Sequence, residues 1–246
     1  RIVATRSPVR SLVTGSTGFV GRALVRRLLT DGIDVRVLAR PGARSDARPD
    51  RGTSERANAS PERGVEVRRG GLDDPNPIAE AAEGCDVVFH CAGEGSPRAS
   101  PRALAWINVA GTENVLRAAK HARVPRFVHL SCASVSLLNA DRLGWKEDAI
   151  VTEAPLGACL QSKLLADDLV RQASTSDFET AALRPAWLWG PGDHVNLPGL
   201  CAEARAGGVR LFGRGDNIFA TAYVDNVVSA LVAAASAANV GGKAYH

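Results

Sequence analysis

Apolar positions along this chain follow two alternating periods, which predict strands separated by helices. Short runs of apolar residues predict strands, and apolar residues three and four positions apart predict helices. The predicted strands are Val9–Thr14, Asp34–Ala39, Val65–Arg69, Asp86–Cys91, Arg126–Leu130 and Thr180–Leu183. The predicted helices are Gly18–Thr30, Pro77–Glu83, Arg102–Arg123 and Leu160–Ala173. Strands joined by helices imply right-handed βαβ units and therefore a doubly wound, parallel α/β sheet.

The pattern changes after Pro185. Glycine and proline become frequent, a short strand is predicted at Val209–Phe212, and a helix is predicted at Asp225–Ala237. We therefore predict a main domain over residues 1–185 and a small second lobe over residues 186–246.

Composition limits the class of protein. The chain has 246 residues, 45% hydrophobic and 23% charged, which suits one globular domain with a small second lobe. Its uncharged apolar stretches are too short to cross a bilayer, and no signal pattern is visible, so we expect no membrane span. Five cysteines, an odd number without a small-domain framework, favour a reducing, cytoplasmic setting.

One arginine-rich segment carries the whole net charge of +4. Residues 36–69 hold nine arginines against five acids, and the remainder of the chain is neutral. Without a broad basic face, we expect no nucleic-acid partner. Inside this segment, Pro41–Arg63 has little apolar content and is predicted to be a mobile loop.

A glycine-rich sequence, T-G-S-T-G-F-V-G at residues 14–21, joins the first strand to the first helix. Gly15 permits a tight turn, Gly18 lets the backbone approach a pyrophosphate, and Gly21 lets the helix pack on the strand. The helix N-terminus then offers free N–H groups to phosphates. Strand, glycine turn and helix together predict a dinucleotide site in a Rossmann-like fold.

The end of the second strand bears on the choice of dinucleotide. An acidic residue near this point binds the ribose hydroxyls of NAD, but this chain has Ala39 followed by Arg40, with Arg44 nearby. Guanidinium groups pair with a 2′-phosphate, which a carboxylate would repel. We predict NADP(H) as the cofactor, with NAD(H) as the alternative if both arginines are merely solvated loop residues.

Further motifs follow in order along the chain. They are His90–Gly93 (H-C-A-G), Asn108–Thr112 (N-V-A-G-T), Leu183–Pro185 (L-R-P), Gly190–Gly192 (G-P-G) and Tyr223–Val228 (Y-V-D-N-V-V). Together with the T-G-x-x-G-x-x-G turn, they resemble the extended short-chain dehydrogenase/reductase superfamily. The resemblance is to its NAD(P)-dependent epimerase/dehydratase and 3β-hydroxysteroid dehydrogenase-like branch, and it runs from residue 12 to the last residue.

The resemblance implies an NAD(P)-binding Rossmann domain over residues 1–185 and a substrate-binding lobe over 186–246. Members of the group are longer than this chain, so we expect this lobe to be partial. A homodimer through a helix pair that includes Arg102–Arg123 is also implied. The implied cofactor-binding residues are Gly15, Thr17, Gly18, Phe19, Val20, Gly21, Arg40, Leu72, Ala92, Gly93, Asn108, Lys163 and Pro185.

At the implied catalytic positions the chain departs from the group. Members use a Tyr as acid and base, a Lys four residues later on the same helix face, and a Ser or Thr after the fifth strand. Lys163 matches the Lys, but Cys159 stands at the Tyr position. Cys132 stands at the hydroxyl position, and Ser131, one residue earlier, is a substitute for the oxygen-binding role.

Two interpretations of the cysteines stay open. They are either small buried residues, or neighbours that act as a reactive pair or form a disulfide, given Cα atoms within about 7 Å. Among other acid–base candidates, His194 follows Pro191 and could reach a pocket, although a surface position is the simpler expectation. No cysteine or histidine spacing predicts a metal site.

Three functions fit the sequence. The first is an NADP(H)-dependent oxidoreductase acting on a hydroxyl or ketone of a small lipid-like or steroid-like substrate. The second is a sugar-nucleotide epimerase or dehydratase on the same scaffold, which begins with the same hydride step. The third is a catalytically weakened NADP(H)-binding sensor or structural protein, which the two cysteine replacements favour.

Overall fold

The central feature of the computed structural model is one parallel sheet. The structure describes residues 10–41, 65–96, 98–136, 146–147, 157–209, 214–216, 218 and 220–246. Seven strands lie in the order β3-β2-β1-β4-β5-β6-β9, and every neighbouring pair is parallel. Their bounds are β1 Arg10–Thr14, β2 Asp34–Ala39, β3 Val65–Arg69, β4 Val87–His90, β5 Arg126–Leu130, β6 Glu179–Leu183 and β9 Lys243–Tyr245.

Helices cover both faces of the sheet, as parallel strands with two buried faces require. On one face, α1 (Phe19–Thr30) and α7 (Val224–Ser236) share a hydrophobic core with the strands. On the other, α2 (Pro75–Ala82), α4 (Gly111–His121) and α5 (Gly157–Gln172) enclose a second core. The fold is therefore the doubly wound, Rossmann-like α/β sheet that the sequence predicts.

The strand order reverses between β1 and β4, which are direct neighbours in the sheet. Ligands of open α/β sheets bind outside the carboxyl ends of the strands at such a switch point. The glycine-rich turn follows β1, and the H-C-A-G sequence begins at the end of β4. Both motifs therefore lie where the topology opens a crevice.

Helix starts follow recognisable signals. The Asp74 side chain accepts a hydrogen bond from the Asn76 amide at the start of α2, and Pro75 occupies the first turn. Ser100 caps α3 (Pro101–Leu104) in the same way through the Ala103 amide.

The long predicted helix at residues 102–123 is divided in the structure. It comprises α3, a π-helical segment at Ala105–Ala110, and α4. Wider π turns inside helices often occur at functional sites, and this one carries the N-V-A sequence of the N-V-A-G-T motif. Apolar spacing alone does not distinguish a π turn from α-helix.

Residues after Pro185 contain elements that the apolar pattern did not predict. A two-stranded parallel sheet pairs β7 (Trp187–Trp189) with β8 (Thr221–Tyr223), and α6 is Asn196–Arg205. In addition, β9 joins the main sheet beside β6, and α7 packs against α1 and β5. The predicted helix at 225–237 is confirmed as α7, whereas the division into domains at residue 185 stays a prediction.

Two sequence-based predictions lie outside the described residues. They are the mobile loop at Pro41–Arg63, of which only Pro41 is described, and the strand at Val209–Phe212 beyond Val209. Arg44 falls in the first of these segments. Within the part of the chain that the structure describes, no helix is both long and apolar enough to cross a membrane.

Candidate dinucleotide and carbonyl site

The glycine-rich turn forms a tight cradle above β1. Gly15 has a φ of +69°, and a Cβ there would lie 2.5 Å from the Ala92 nitrogen. A Cβ on Gly21 would lie only 2.1 Å from the Gly15 carbonyl oxygen. Both positions therefore require glycine: the first lets the turn pass under the end of β4, and the second lets α1 pack onto the turn.

The start of α1 presents backbone N–H donors to an anion. Gly18 caps the helix without a side chain, and its amide donates to the Gly15 carbonyl oxygen at 2.9 Å. The first N–H groups of a helix have no intrahelical acceptor, so they are available to a phosphate. Arg22 steadies the turn by donating to the Thr17 carbonyl oxygen at 2.8 Å. This geometry fits a dinucleotide pyrophosphate.

The G-P-G sequence lies over this cradle. Gly192 has a φ of +89°, and its Cβ position lies 3.8 Å from the Phe19 ring at the start of α1. Gly190 has a φ of +137° and leaves no space for a side chain beside Tyr223 and Val224. A segment from the predicted second lobe therefore reaches the first residue of α1.

A buried chain of hydrogen bonds joins the ends of β1 and β4 to α4. The Thr14 hydroxyl lies 2.7 Å from His90 Nδ1, and His90 Nε2 lies 3.0 Å from the Thr112 hydroxyl. The Ala92 amide also donates to the Thr14 hydroxyl. His90 thus holds the H-C-A-G turn against the glycine cradle and leaves neither ring nitrogen unpaired.

Asn108, in the π-helical segment, organises the turn after β4. Its carboxamide oxygen accepts from the Glu94 amide at 2.7 Å, and its nitrogen donates to the Glu94 carbonyl oxygen at 2.9 Å. The same nitrogen also donates to the Ser162 hydroxyl at 2.9 Å. Asn108 therefore connects the turn to α5 one residue before Lys163.

Lys163 and Cys159 both face that turn. A Cβ on Gly93 would lie 3.5 Å from Lys163 Nζ, and the Cys159 thiol lies 3.9 Å from the Glu94 carbonyl oxygen. The two side chains are four residues apart on α5, so they share one face of the helix. The structure therefore brings Lys163 and Cys159 to the carboxyl end of β4.

Cys132 lies beside the same pair. Burial raises the pKa of the Cys132 thiol, and the nearby Cys159 thiol raises it a little further. The Lys163 ammonium lowers this pKa, but the net effect is a rise. All five cysteines of the chain are free thiols. The Cys132 thiol is therefore protonated at neutral pH and capable of donating a hydrogen bond.

Ser131 faces a different environment. It is buried, and the neighbouring Asp167 carboxylate is bound by Arg184 through two contacts of 2.7 and 3.0 Å. Arg171 donates to the same carboxylate at 2.9 Å. Burial raises the pKa of Asp167, but Arg184 and, to a smaller extent, the Ser131 hydroxyl lower it, and the net direction is down. The Ser131 hydroxyl thus lies near this ion pair, but its oxygen makes no hydrogen bond within the described residues.

Two buried histidines underlie the site. The rings of His90 and His129 stack with centroids 5.4 Å apart. Burial lowers the pKa of His129 to about 4, with the Lys163 charge acting in the same direction and the Asp167 charge opposing it. Burial, His129 and Lys163 also lower the pKa of His90 well below its ordinary range. Both rings are neutral at pH 7.

The other edge of the crevice carries Arg40 and Leu72. Arg40 is exposed directly after β2. The Leu72 carbonyl oxygen accepts from Asn114 at 2.8 Å, and Gly111 leaves space for the Leu72 side chain, which lies 3.0 Å from its Cβ position. α4 therefore fixes the turn after β3.

Among the remaining candidates, Pro185 joins the segment after β6 to the segment after β5. Its carbonyl oxygen accepts a hydrogen bond from the Ala133 amide at 2.9 Å. His194 is exposed. Tyr223 packs its ring edge-on against Trp189. In the described ranges, no group of three or more His, Cys, Asp or Glu side chains is arranged to hold a metal ion.

Sequence reasoning did not single out Asp167 or Asn114. Asp167 had a usable signal, because it stands four residues after Lys163 and hence on the same helix face. Asn114 had none, since its contact with Leu72 spans 42 residues.

A cradle that fits a dinucleotide, at the switch point of a parallel α/β sheet and beside a helix-borne lysine, defines a Rossmann-type nucleotide-binding protein. A family model described as "NAD dependent epimerase/dehydratase family" matches residues 11–246. The chain belongs to that family.

The similar proteins are mostly oxidoreductases. The chain is 33% identical over 237 residues to a 4-hydroxy-2-methyl-3-oxo-4-farnesyl-3,4-dihydroquinoline-1-oxide ketoreductase of Stigmatella aurantiaca, covering 96% of this chain and 67% of that one. It is 32% identical over 236 residues to a 3 beta-hydroxysteroid dehydrogenase/Delta 5-->4-isomerase of Mycobacterium tuberculosis, covering 92% of this chain and 60% of that one.

A solved structure is also similar. The dTDP-glucose 4,6-dehydratase of Streptomyces venezuelae, with NAD bound, has a TM-score of 0.79 and 26% identity, and the match covers 96% of this chain and 74% of that one. This chain therefore spans between three fifths and three quarters of these three proteins.

Proposed function

We propose that this protein is an NADP(H)-dependent oxidoreductase that acts on a hydroxyl or ketone of a small lipid-like or steroid-like substrate. The observation that carries the proposal is the meeting of Lys163, Cys159 and Cys132 beside the glycine cradle. The names of the relatives, a ketoreductase and a hydroxysteroid dehydrogenase, support the substrate class.

The roles of the site residues follow from their positions. When bound, the dinucleotide supplies or accepts a hydride. Lys163 orients the nicotinamide ribose, and its charge lowers the pKa of the Cys132 thiol, although burial raises that pKa by more. Cys132 donates a hydrogen bond to the substrate oxygen, with Ser131 as the substitute, and Cys159 or a water carries the proton to or from that oxygen.

The cofactor lies along the carboxyl ends of the strands in this proposal. Gly15, Gly18 and Gly21 cradle the pyrophosphate, and Arg40 takes the 2′-phosphate. The further contacts are assigned to Thr17, Phe19, Val20, Leu72, Ala92, Gly93, Asn108 and Pro185.

Arg40 gives the first prediction, on cofactor choice. Replacing it by Asp puts a negative charge near the 2′-phosphate, so NADPH affinity should fall at least about tenfold while NADH affinity changes less. Fluorescence titration of both cofactors measures this. Arg26→Asp, an equal charge change at an exposed position of α1, is the matched control. If Arg40→Asp lost the same affinity for NADPH and for NADH, Arg40 would not select NADP(H) over NAD(H).

The reaction is tested by NADPH binding followed by a panel of ketones. We expect saturable binding and oxidation of NADPH with cyclic or long-chain ketones, and loss of turnover in Lys163→Ala. Binding without turnover for any ketone or alcohol would contradict the proposal.

A sugar-nucleotide epimerase or dehydratase is the second candidate. The bound-NAD dehydratase structure and the family description support it. Conversion of UDP-glucose or dTDP-glucose with bound cofactor, and no net oxidation of NADPH by ketones, would favour it over the first.

A non-catalytic NADP(H) sensor or structural protein is the third candidate, because neither a Tyr nor a Ser occupies the two proton-handling positions. Tight NADPH binding with no turnover, and no gain on replacing Cys159 by Tyr, would favour it.

We also propose a homodimer through a helix pair that includes residues Arg102–Arg123. Trp106 and Leu165 are 59% and 55% exposed, and they lie on elements that pack together, the π-helical segment and α5. Sedimentation equilibrium tests this, because Trp106→Asp should dissociate the dimer. The free thiols support a reducing, cytoplasmic location.

A further inference from the structure

The two thiols of the site belong to elements that pack on each other. Cys132 directly precedes a 3-10 helix at Ala133–Ser136, and Cys159 lies in the first turn of α5. α5 packs against that 3-10 helix. The cysteines are far apart in sequence, yet both the Lys163 charge and the Cys159 thiol act on Cys132.

The surroundings distinguish this pair from the other thiols. Cys132 and Cys159 are both half-buried, so a small reagent that enters the crevice reaches them. Cys85 is buried, and burial raises the pKa of the half-buried Cys91 to about 12, which leaves almost no thiolate there. Burial also raises the pKa of Cys132, but there the Lys163 charge opposes the rise. Cys201 lies on α6, which packs against β7.

We propose that Cys132 and Cys159 form a reversible intramolecular disulfide that closes the position of the substrate oxygen. Its consequence for turnover rests on the function proposed above, whereas the disulfide itself does not. The bond requires Cα atoms within about 7 Å, and the packing of α5 against the 3-10 helix favours that approach.

The oxidant is a low-molecular-weight disulfide such as oxidised glutathione. One cysteine thiolate attacks a sulfur of the oxidant, forms a mixed disulfide and releases one thiolate. The second cysteine thiolate then attacks the protein sulfur, forms the internal bond and releases the second. Two protein thiols are oxidised, and one oxidant disulfide is reduced to two thiols. The Lys163 charge lowers the pKa of the Cys132 thiol, although burial raises that pKa by more.

The cross-link separates substrate chemistry from cofactor binding. It removes both thiol hydrogens from the site and fills the space between the turn after β5 and α5. The Gly15–Gly21 cradle lies after β1 and outside the linked loop. The oxidised protein should therefore bind NADPH with an affinity within about twofold of the reduced protein, while ketone reduction stops.

Thiol titration and mass spectrometry test the disulfide on the whole chain. After treatment with oxidised glutathione, we expect the protein to lose two of its five thiols and the mass of two hydrogen atoms, with a peptide linking Cys132 to Cys159. Cys132→Ser and Cys159→Ser should instead each retain one glutathionyl group on the remaining thiol. Cys201→Ser, the matched control, should still form the link.

Two results would overturn the disulfide: stable glutathionyl adducts on Cys132 or Cys159 of the unsubstituted protein, or both thiols remaining free. Activity is then compared in the two states, with recovery by dithiothreitol expected. If the Cys132–Cys159 disulfide forms but turnover is unchanged, the disulfide does not close the position of the substrate oxygen. A verified link in a protein without turnover in either state would count against the proposed function alone.

Discussion

At position 159 a thiol stands where the proposed chemistry needs a proton donor one helical turn before Lys163. A thiol is shorter than a phenol, so it reaches less far into the crevice, and its ordinary pKa of about 8.5 is lower than the value of about 10 for Tyr. In the proposed reaction, the length of this side chain should therefore limit how well a proton is delivered to the substrate oxygen.

Replacing Cys159 by Tyr gives the second prediction. A phenol beside Lys163 reaches the substrate oxygen, so ketone reduction under reducing conditions should rise by at least about tenfold, within the range of general acid catalysis. Steady-state oxidation of NADPH measures it. Cys159→Phe supplies the ring without the hydroxyl and should show no gain, and equal rates in both variants would refute proton delivery from this position.

Gly21 shows how one missing side chain shapes the cofactor cradle. In Gly21→Ala the new methyl group would meet the Gly15 carbonyl oxygen at 2.1 Å, which is backbone and cannot rotate away. We predict a loss of about 1–3 kcal/mol in the free energy of unfolding, with weaker NADPH binding. Urea denaturation and fluorescence titration measure the two effects.

The control for this third prediction is Gly199→Ala. Gly199 lies in α6 with nothing within 4 Å of its Cβ position, so Ala should stabilise the protein slightly or leave it unchanged. If Gly21→Ala behaved in the same way, the close packing of α1 on the glycine turn would be refuted.

At the scale of elements, a buried ion pair joins α5 to β6. Asp167 on α5 is fully buried and binds Arg184, the residue after β6, which is 3% exposed. Because α5 also carries Lys163 and Cys159, this pair fixes the helix that presents them. The carboxylate and the two arginines thereby set where the site residues stand relative to the sheet.

Asp167→Asn gives the fourth prediction. It leaves the buried Arg184 charge without its partner, so the free energy of unfolding should fall by about 3–5 kcal/mol. Asp168→Asn is the matched control, because Asp168 is the adjacent residue, pairs with Arg171 and is 36% exposed. Its loss should be at most about 1 kcal/mol. Similar losses of unfolding free energy in the two variants would contradict a larger contribution from the buried pair than from the exposed one.

At the scale of the whole molecule, the buried histidines link folding to pH. The unfolded chain binds a proton at His129 below about pH 6.5, whereas the folded chain does so only below about pH 4. Between these values the unfolded state holds more protons, so stability falls as pH falls through this window. Asp167 affects stability at lower pH. Its lowered pKa stabilises the folded state above the ordinary pKa of a carboxyl, and this stabilisation is lost as the pH falls below that range.

The fifth prediction is that His129→Gln flattens this dependence. Up to about 3 kcal/mol of pH-dependent stability between pH 6.5 and 4 belongs to His129. Urea denaturation across this range measures the slope. The exposed His121 on α4 provides the control, since His121→Gln should keep the slope of the unsubstituted protein. An unchanged slope in His129→Gln would refute burial of a neutral ring.

The strands of the main sheet were the most predictable part of the molecule. β2, β3 and β5 have the predicted bounds, because strands buried on both faces are nearly continuous apolar runs. The short elements after Pro185 were missed, since three-residue strands such as β7 and β8 carry too little pattern to be distinguished from loop. The π turn was missed because its apolar spacing still fits a helix.

The sequence by itself determined the parallel sheet, the glycine cradle and the identity of the side chains at the proposed catalytic positions. These follow from local rules: residue periodicity, the space that glycine leaves, and the i, i+4 spacing that puts Cys159 and Lys163 on one helix face. Only the tertiary structure decided that Cys132 lies beside that face, that the buried Ser131 lies near Asp167, and that β9 joins the sheet. Such contacts join distant parts of the chain, and the packing of the whole fold determines them.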